Sequence, residues 1–124
     1  MQPNNVAEFA PSVVLLMWGR AFGSCERCGR GLRWAGRGYS WSAHHRQPRG
    51  MGGSGDAALG RASNGLILCG HGTDGCHGEV ESDRQTAVAA GFIVPMGERP
   101  IDVSVTLYTF GLCKLRDDGN IENP

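Results

Sequence analysis

Two cysteine pairs and two histidine-bearing segments alternate along this 124-residue chain. Cys25 and Cys28 come first, then His44-His45, then Asn64 and Cys69, and finally Cys76-His77. Zinc takes four thiolate or imidazole ligands, and a two-residue gap lets both sulfurs of one turn reach the ion at about 2.3 Å. Cys25 and Cys28 meet that spacing. Cys69 and Cys76 are separated by Gly-His-Gly-Thr-Asp-Gly, whose three glycines and Asp-Gly step can fold back and return both sulfurs to one ion. The expectation is one structural Zn2+ held by Cys25, Cys28, Cys69 and Cys76, contributing on the order of 10 kcal/mol to folding. His71, inside the excursion, is the alternative fourth ligand. Cys113 has no partner and reads as a small buried apolar residue. Closing the sulfur site would carry His44-His45 and Cys76-His77 to one place, around a second metal position. An imidazole with an ordinary pKa near about 6.5 suits general-base work at neutral pH.

Those side chains need elements to hold them. Val14, Leu15, Trp18 and Phe22 share one face at helical spacing, so Pro11 to Phe22 reads as a short amphipathic helix stopped by Gly23. Leu32–Trp34 and Tyr39–His45 read as short strands around a Gly36-Arg37-Gly38 turn. Gly50 to Gly60 is a glycine-rich loop; its Gly-Met-Gly-Gly-Ser-Gly run lacks the Gly-Lys-Ser/Thr ending of a phosphate-binding loop. Leu66-Ile67-Leu68 is a buried strand entering Cys69. A helix is expected from about His77 to Ala90, with Val80, Ala87 and Val88 inward and Gly91 as its stop. Phe92 to Pro95 ends the core. Alternating Val103, Val105 and Leu107, with a turn at Phe110-Gly111, predict a β-hairpin closed by Leu112 and Leu115.

A chain of this length fits one domain with a modest core, and its 20 glycines call for a staple. Five cysteines is an odd number, which disfavours a framework of disulfides alone. Met1–Asn5 carries no basic stretch, and the apolar run Val13–Trp18 is too short for a signal core or a membrane span. A reducing, cytoplasmic location without membrane partners is therefore expected. Net charge is zero, yet unevenly spread. From Arg20 to Ala62 there are eight arginines against Glu26 and Asp56, and from Ser63 onward four bases against nine acids. Arginine dominates the basic residues, which favours phosphate contact, and a nucleic acid is the expected partner. Arg46, Arg49 and Arg84 are the candidate phosphate contacts. Glu79, Glu81 and Asp83 read as acids compensating the helix dipole, with Glu81 as a further metal ligand the alternative.

Cys25-x2-Cys28, Ala43-His44-His45-Arg46, Asn64-Gly65-Leu66-Ile67-Leu68-Cys69 and Cys76-His77 together resemble the HNH endonuclease family in its zinc-stapled form. The run His44 to Ser54 is similar to small HNH proteins of bacteriophages, particularly those infecting actinobacteria. The resemblance covers about residues 23–95. It implies an α+β fold with a ββα-metal (His-Me finger) core over 23–95, preceded by a helix at 11–22 and followed by a β-hairpin extension at 96–124, all in one domain. It further implies that His45 is the general base, that His44 and His77 ligate one divalent cation at the scissile phosphate, and that Asn64 fixes the loop and orients His45. Alternate strand residues face opposite sides, so the swap of His44 and His45 stays open. Two neutral imidazoles would accept Mn2+, Ni2+ or Co2+ readily and Mg2+ less firmly.

The function expected is metal-dependent hydrolysis of DNA phosphodiester bonds, by nicking or double-strand cleavage. The phage likeness adds terminase and portal proteins as partners in genome packaging, in the host cytoplasm. The alternative is a non-catalytic, zinc-stabilised module that binds nucleic acid or protein; it would keep the cysteines and arginines and have no need of His45.

Overall fold

The computed structural model describes residues 8–48 and 57–124, and shows a small α+β fold of three helices and two antiparallel sheets. Helix α1 spans Pro11–Ala21, with proline in its first turn and Phe22 as a left-handed C-cap. Strands β1 (Trp41–His45) and β2 (Gly65–Cys69) pair antiparallel, with Trp41 opposite Cys69 and His45 opposite Gly65. Helices α2 (Gly75–Ser82) and α3 (Arg84–Ala90) follow. The chain ends in a three-stranded meander of β3 (Val105–Leu107), β4 (Gly111–Leu115) and β5 (Ile121–Glu122). No helix among the described residues is long and apolar enough to cross a membrane.

Strand β2 is buried along its whole length and divides the core by its two-residue period. Leu66 and Leu68 pack with Val80, Ala87, Val105 and Leu115, while Ile67 packs with Val14, Met17 and Trp41 on the other side.

Several expectations need correction. The buried face of α1 is Val14, Met17 and Ala21 with Arg20, whereas Leu15 and Phe22 face solvent. A polar interaction selects that face: Arg20 donates to Glu26 at 2.8 Å through both Nε and Nη2, and to the carbonyls of Ala62 and Gly65. Leu32–Trp34 is not a strand; Trp34–Gly36 forms a 3-10 turn, and the Trp41 indole donates to the Arg33 carbonyl at 2.7 Å. The single helix expected over 77–90 is broken at Asp83, whose carboxylate caps the second segment through Thr86 N and Thr86 Oγ1. That break leaves Val88 outside while Val80 and Ala87 stay buried. Gly91 does end the helix at φ 85°, where a Cβ would fall 2.1 Å from the Ser104 carbonyl oxygen. The tail hairpin gains a third strand, and Leu112 is exposed where Leu115 is buried. Most of the glycine-rich loop, Gly50 to Asp56, lies outside the described residues; Ala57–Gly60 is a 3-10 turn.

Arg46 is the largest correction. Its side chain is fully buried and donates to the carbonyls of Gly91, Ser63, Pro100 and Val103. Burial lowers its pKa to about 10, so it keeps its charge at neutral pH. It is a strut joining β1 to the end of α3 and to the approach to β3, and it cannot reach a phosphate. Removing it strands four buried carbonyls. Arg46→Ala should cost about 3–5 kcal/mol in urea unfolding, against less than about 0.5 kcal/mol for the exposed Arg84→Ala.

Candidate metal centres

The four cysteines converge from three elements. Cys25 and Cys28 sit on the turn after α1, Cys69 ends β2, and Cys76 opens α2. Their sulfurs lie within 4.8 Å of one another, and the Cys28–Cys69 sulfur pair is 3.7 Å apart. A tetrahedral zinc with bonds of about 2.3 Å places its sulfurs about 3.8 Å apart, so the spacing fits. All five cysteines are free thiols. Backbone N–H groups already point at the sulfurs: Cys69 N donates to Cys25 Sγ and Cys76 N to Cys69 Sγ, at 3.3 and 3.4 Å. Arg27 adds a charged donor to Cys76 Sγ at 3.2 Å. Burial pushes the Cys25 and Cys76 thiols up, which is the cost of holding thiolates there without a cation.

The six-residue excursion returns to the site through glycine. Gly70 and Gly75 adopt φ of 81° and 62°, and a Cβ on either would strike backbone at 2.2 and 2.7 Å. His71 stays in that exposed loop beside Asp74 and Thr73, outside the sulfur group. Cys113 is buried in β4, bonded to the Val105 carbonyl.

A second group lies where β1 meets α2. His44, His77 and Glu81 each offer a ligand atom, all within 4.8 Å of one another. Glu81 Oε1 is 3.7 Å from His44 Nδ1 and 3.7 Å from His77 Nε2. His44 Nε2 sits 2.8 Å from the Phe92 carbonyl oxygen. A carbonyl only accepts, so Nε2 carries the proton and Nδ1 keeps its lone pair toward Glu81. Burial, reinforced by the neighbouring cationic groups, lowers the His44 pKa to about 4, and burial also lowers that of His77. Both imidazoles are therefore neutral near pH 7, as metal ligation requires. His77 Nδ1 is buried without a hydrogen-bond partner among the described residues, but it is the other ring nitrogen, Nε2, that faces Glu81, so an ion in this group leaves Nδ1 unexplained. Two imidazoles and a carboxylate suit a divalent transition metal.

His45, on the opposite face of β1, belongs to neither group. Its ring stacks on Phe9 at 4.0 Å between centroids, and it shares with His44, His77 and Glu81 a cleft of about 360 Å³ that Arg37 also lines. Asn64 is fully buried: its Oδ1 accepts from Gln47 N, and its Nδ2 donates to the carbonyls of Gln47 and Leu59. It thus closes the long β1–β2 connection two residues past His45. Arg84 is exposed and paired with Glu81 at 3.3 Å, while Arg49 lies outside the described residues. Sequence spacing carried a signal for Glu81, four residues after His77 on one helix face, but its dipole reading outweighed it. For Phe9 and Arg37 there was no such signal, because their place in the cleft depends on tertiary packing.

Comparison with known proteins returned no match, whether against family models, curated proteins or solved structures.

The sulfur centre is testable by metal content. Purified protein should hold Zn2+ that survives dialysis, and Cys28→Ser should lose it while Cys113→Ser keeps it, measured by elemental mass spectrometry. Strong chelation should abolish cooperative thermal unfolding followed by circular dichroism.

Proposed function

We propose that this protein is a metal-dependent endonuclease of the HNH type, hydrolysing phosphodiester bonds in DNA. The observation that carries the reading is the gathering of His44, His77 and Glu81 within 4.8 Å, on the wall of a cleft that also holds His45. Support comes from the element order too: two antiparallel strands followed by a helix, with ligands on β1 and α2, is the ββα arrangement that the sequence resemblance implies. A structural zinc in the cysteine group would fix the start of α2 against the end of β2, and so hold His77 opposite His44.

Bound at His44, His77 and Glu81, a divalent cation supplies Lewis-acid stabilisation of charge developing on the phosphate. The chain's own residues do the rest. His45 takes a proton from the attacking water while the new oxygen–phosphorus bond forms; the bond to the 3′ oxygen breaks, that oxygen takes a proton from solvent water, and His45 afterwards returns its proton to solvent. Stacking on Phe9 and the pairing of His45 with Gly65 restrict the imidazole, and Asn64 fixes the backbone beyond it. His44 is the ligand and His45 the base in this assignment, since only His44 belongs to the group with Glu81. The carboxylate adds charge to a donor set otherwise made of neutral imidazoles, which favours Mn2+, Co2+ and Ni2+ and still leaves Mg2+ the weaker choice.

Nicking of supercoiled plasmid across Mg2+, Mn2+, Co2+ and Ni2+ tests the reading. Cleavage should require added metal. His45→Ala should lose it by at least about 100-fold while keeping fold, zinc content and DNA affinity. Glu81→Ala should raise the metal concentration for half-maximal cleavage by at least about tenfold. Wild-type protein inert with every ion would return the non-catalytic zinc module to first place.

A further inference from the structure

The ten described arginines divide sharply by partner. Arg20, Arg27, Arg61, Arg84, Arg99 and Arg116 each lie beside a carboxylate, and Arg46 is spent on four carbonyls. Arg30, Arg33 and Arg37 have neither an acidic partner nor such a set of carbonyls among the described residues, and all three are exposed in one loop. No acidic residue occurs in the chain between Glu26 and Asp56. The same loop shows Trp34 at 46% and Tyr39 at 83% exposure. Trp34 is committed to a cluster, its ring meeting Trp18 edge-on at 5.4 Å and lying 5.7 Å from Trp41. Tyr39 has no ring contact among the described residues.

This loop is held at both ends. Cys25 N donates to the Arg30 carbonyl and Leu32 N to the Gly23 carbonyl, tying its start to the cysteine turn. At its end Gly38 N donates to the Trp41 carbonyl, and the Arg37 guanidinium lies 5.9 Å over the Trp41 ring. Arg37 also lines the cleft of His44, His45 and His77, so the loop runs directly into the candidate site. Three uncompensated cations in a braced loop fit a phosphate backbone. An exposed aromatic face among them fits a base, yet bases within a duplex present no free face.

We infer that residues 30–39 grip DNA beside the cleft, with Tyr39 stacking on an unpaired base, so that the preferred substrate is a single strand or a duplex opened next to the cut. This rests on the nuclease reading for its substrate but not for its binding surface. Fluorescence anisotropy on zinc-loaded His45→Ala protein, with a labelled single strand and its matching duplex, tests it without cleavage. The single strand should bind more tightly. A further Tyr39→Ala change should weaken it by about tenfold and the duplex by less than about twofold, and Tyr39→Phe should restore it. Replacing Arg30, Arg33 and Arg37 by glutamine should weaken both forms and flatten the salt dependence on the single strand by about two in log–log slope. Equal affinity for the two forms, or a Tyr39→Ala effect that is absent or alike on both, overturns the inference. Plasmid nicking by the wild type separates the two claims. A protein that nicks while Tyr39 is neutral refutes the stacking alone; one that binds as described without nicking upholds the surface and refutes the nuclease.

Discussion

Four sulfurs within 4.8 Å of one another, most of them buried, cannot all be thiolates unless a cation sits among them. Neutral, they would add only four weak hydrogen-bonding groups to the Glu26–Ile67 backbone contacts, the Arg27–Glu79 pair and the Leu66, Leu68 and Val80 packing that also join these three segments. With Zn2+ they become a covalent-strength junction between the turn after α1, the end of β2 and the start of α2. The position of His77 depends on that junction, because it follows Cys76 directly. With zinc bound, the sulfur site and the candidate catalytic centre would be one construction: the first would fix where α2 begins, and the second would use its first two turns.

Away from the sulfurs, buried polar groups carry an unusual share of the organisation. The Arg20–Glu26 pair binds α1 to the cysteine turn, and Glu26 also accepts from Ile67 N. Arg46 gathers four carbonyls from three separate stretches, and Asn64 closes the loop beneath β1. Each of these is satisfied several times over, which is the condition under which buried polar groups favour one structure over competing ones. Neither guanidinium is available to a ligand.

The sequence was most legible where spacing alone sets geometry. Cys25-x2-Cys28, the Leu66–Leu68 strand and the Gly91 stop all depend on local chain chemistry, and the cysteine grouping follows from zinc's four-ligand preference. It was least legible where long-range polar contacts decide. The face of α1 turned inward because Glu26 draws Arg20, and apolar periodicity carries no trace of that. Asp83 broke the second helix through an Asp-x-x-Thr cap that a continuous apolar reading passes over. An arginine beside the histidines reads as a phosphate ligand only if it is exposed, and Arg46 is buried on four carbonyls instead. Glu81 was visible at the right spacing, but an acid near a helix start has two explanations, and only the fold places it 3.7 Å from both imidazoles.

The zero net charge gains meaning from this sorting. Acids of the second half are largely consumed by arginines: Glu79 holds Arg27, Asp117 holds Arg61, Glu81 holds Arg84, and Asp102 holds Arg99. What survives cancellation is concentrated in the loop that leads from the cysteine turn to Arg37, whose arginines form no ion pair among the described residues although Glu8 and Glu81 line the same cleft as Arg37. At physiological salt, exposed charges interact over a Debye length of about 8 Å, so this local imbalance governs what approaches the site while the global balance does not. A neutral chain can in this way present a local cationic surface at one place while its other exposed charges are largely paired.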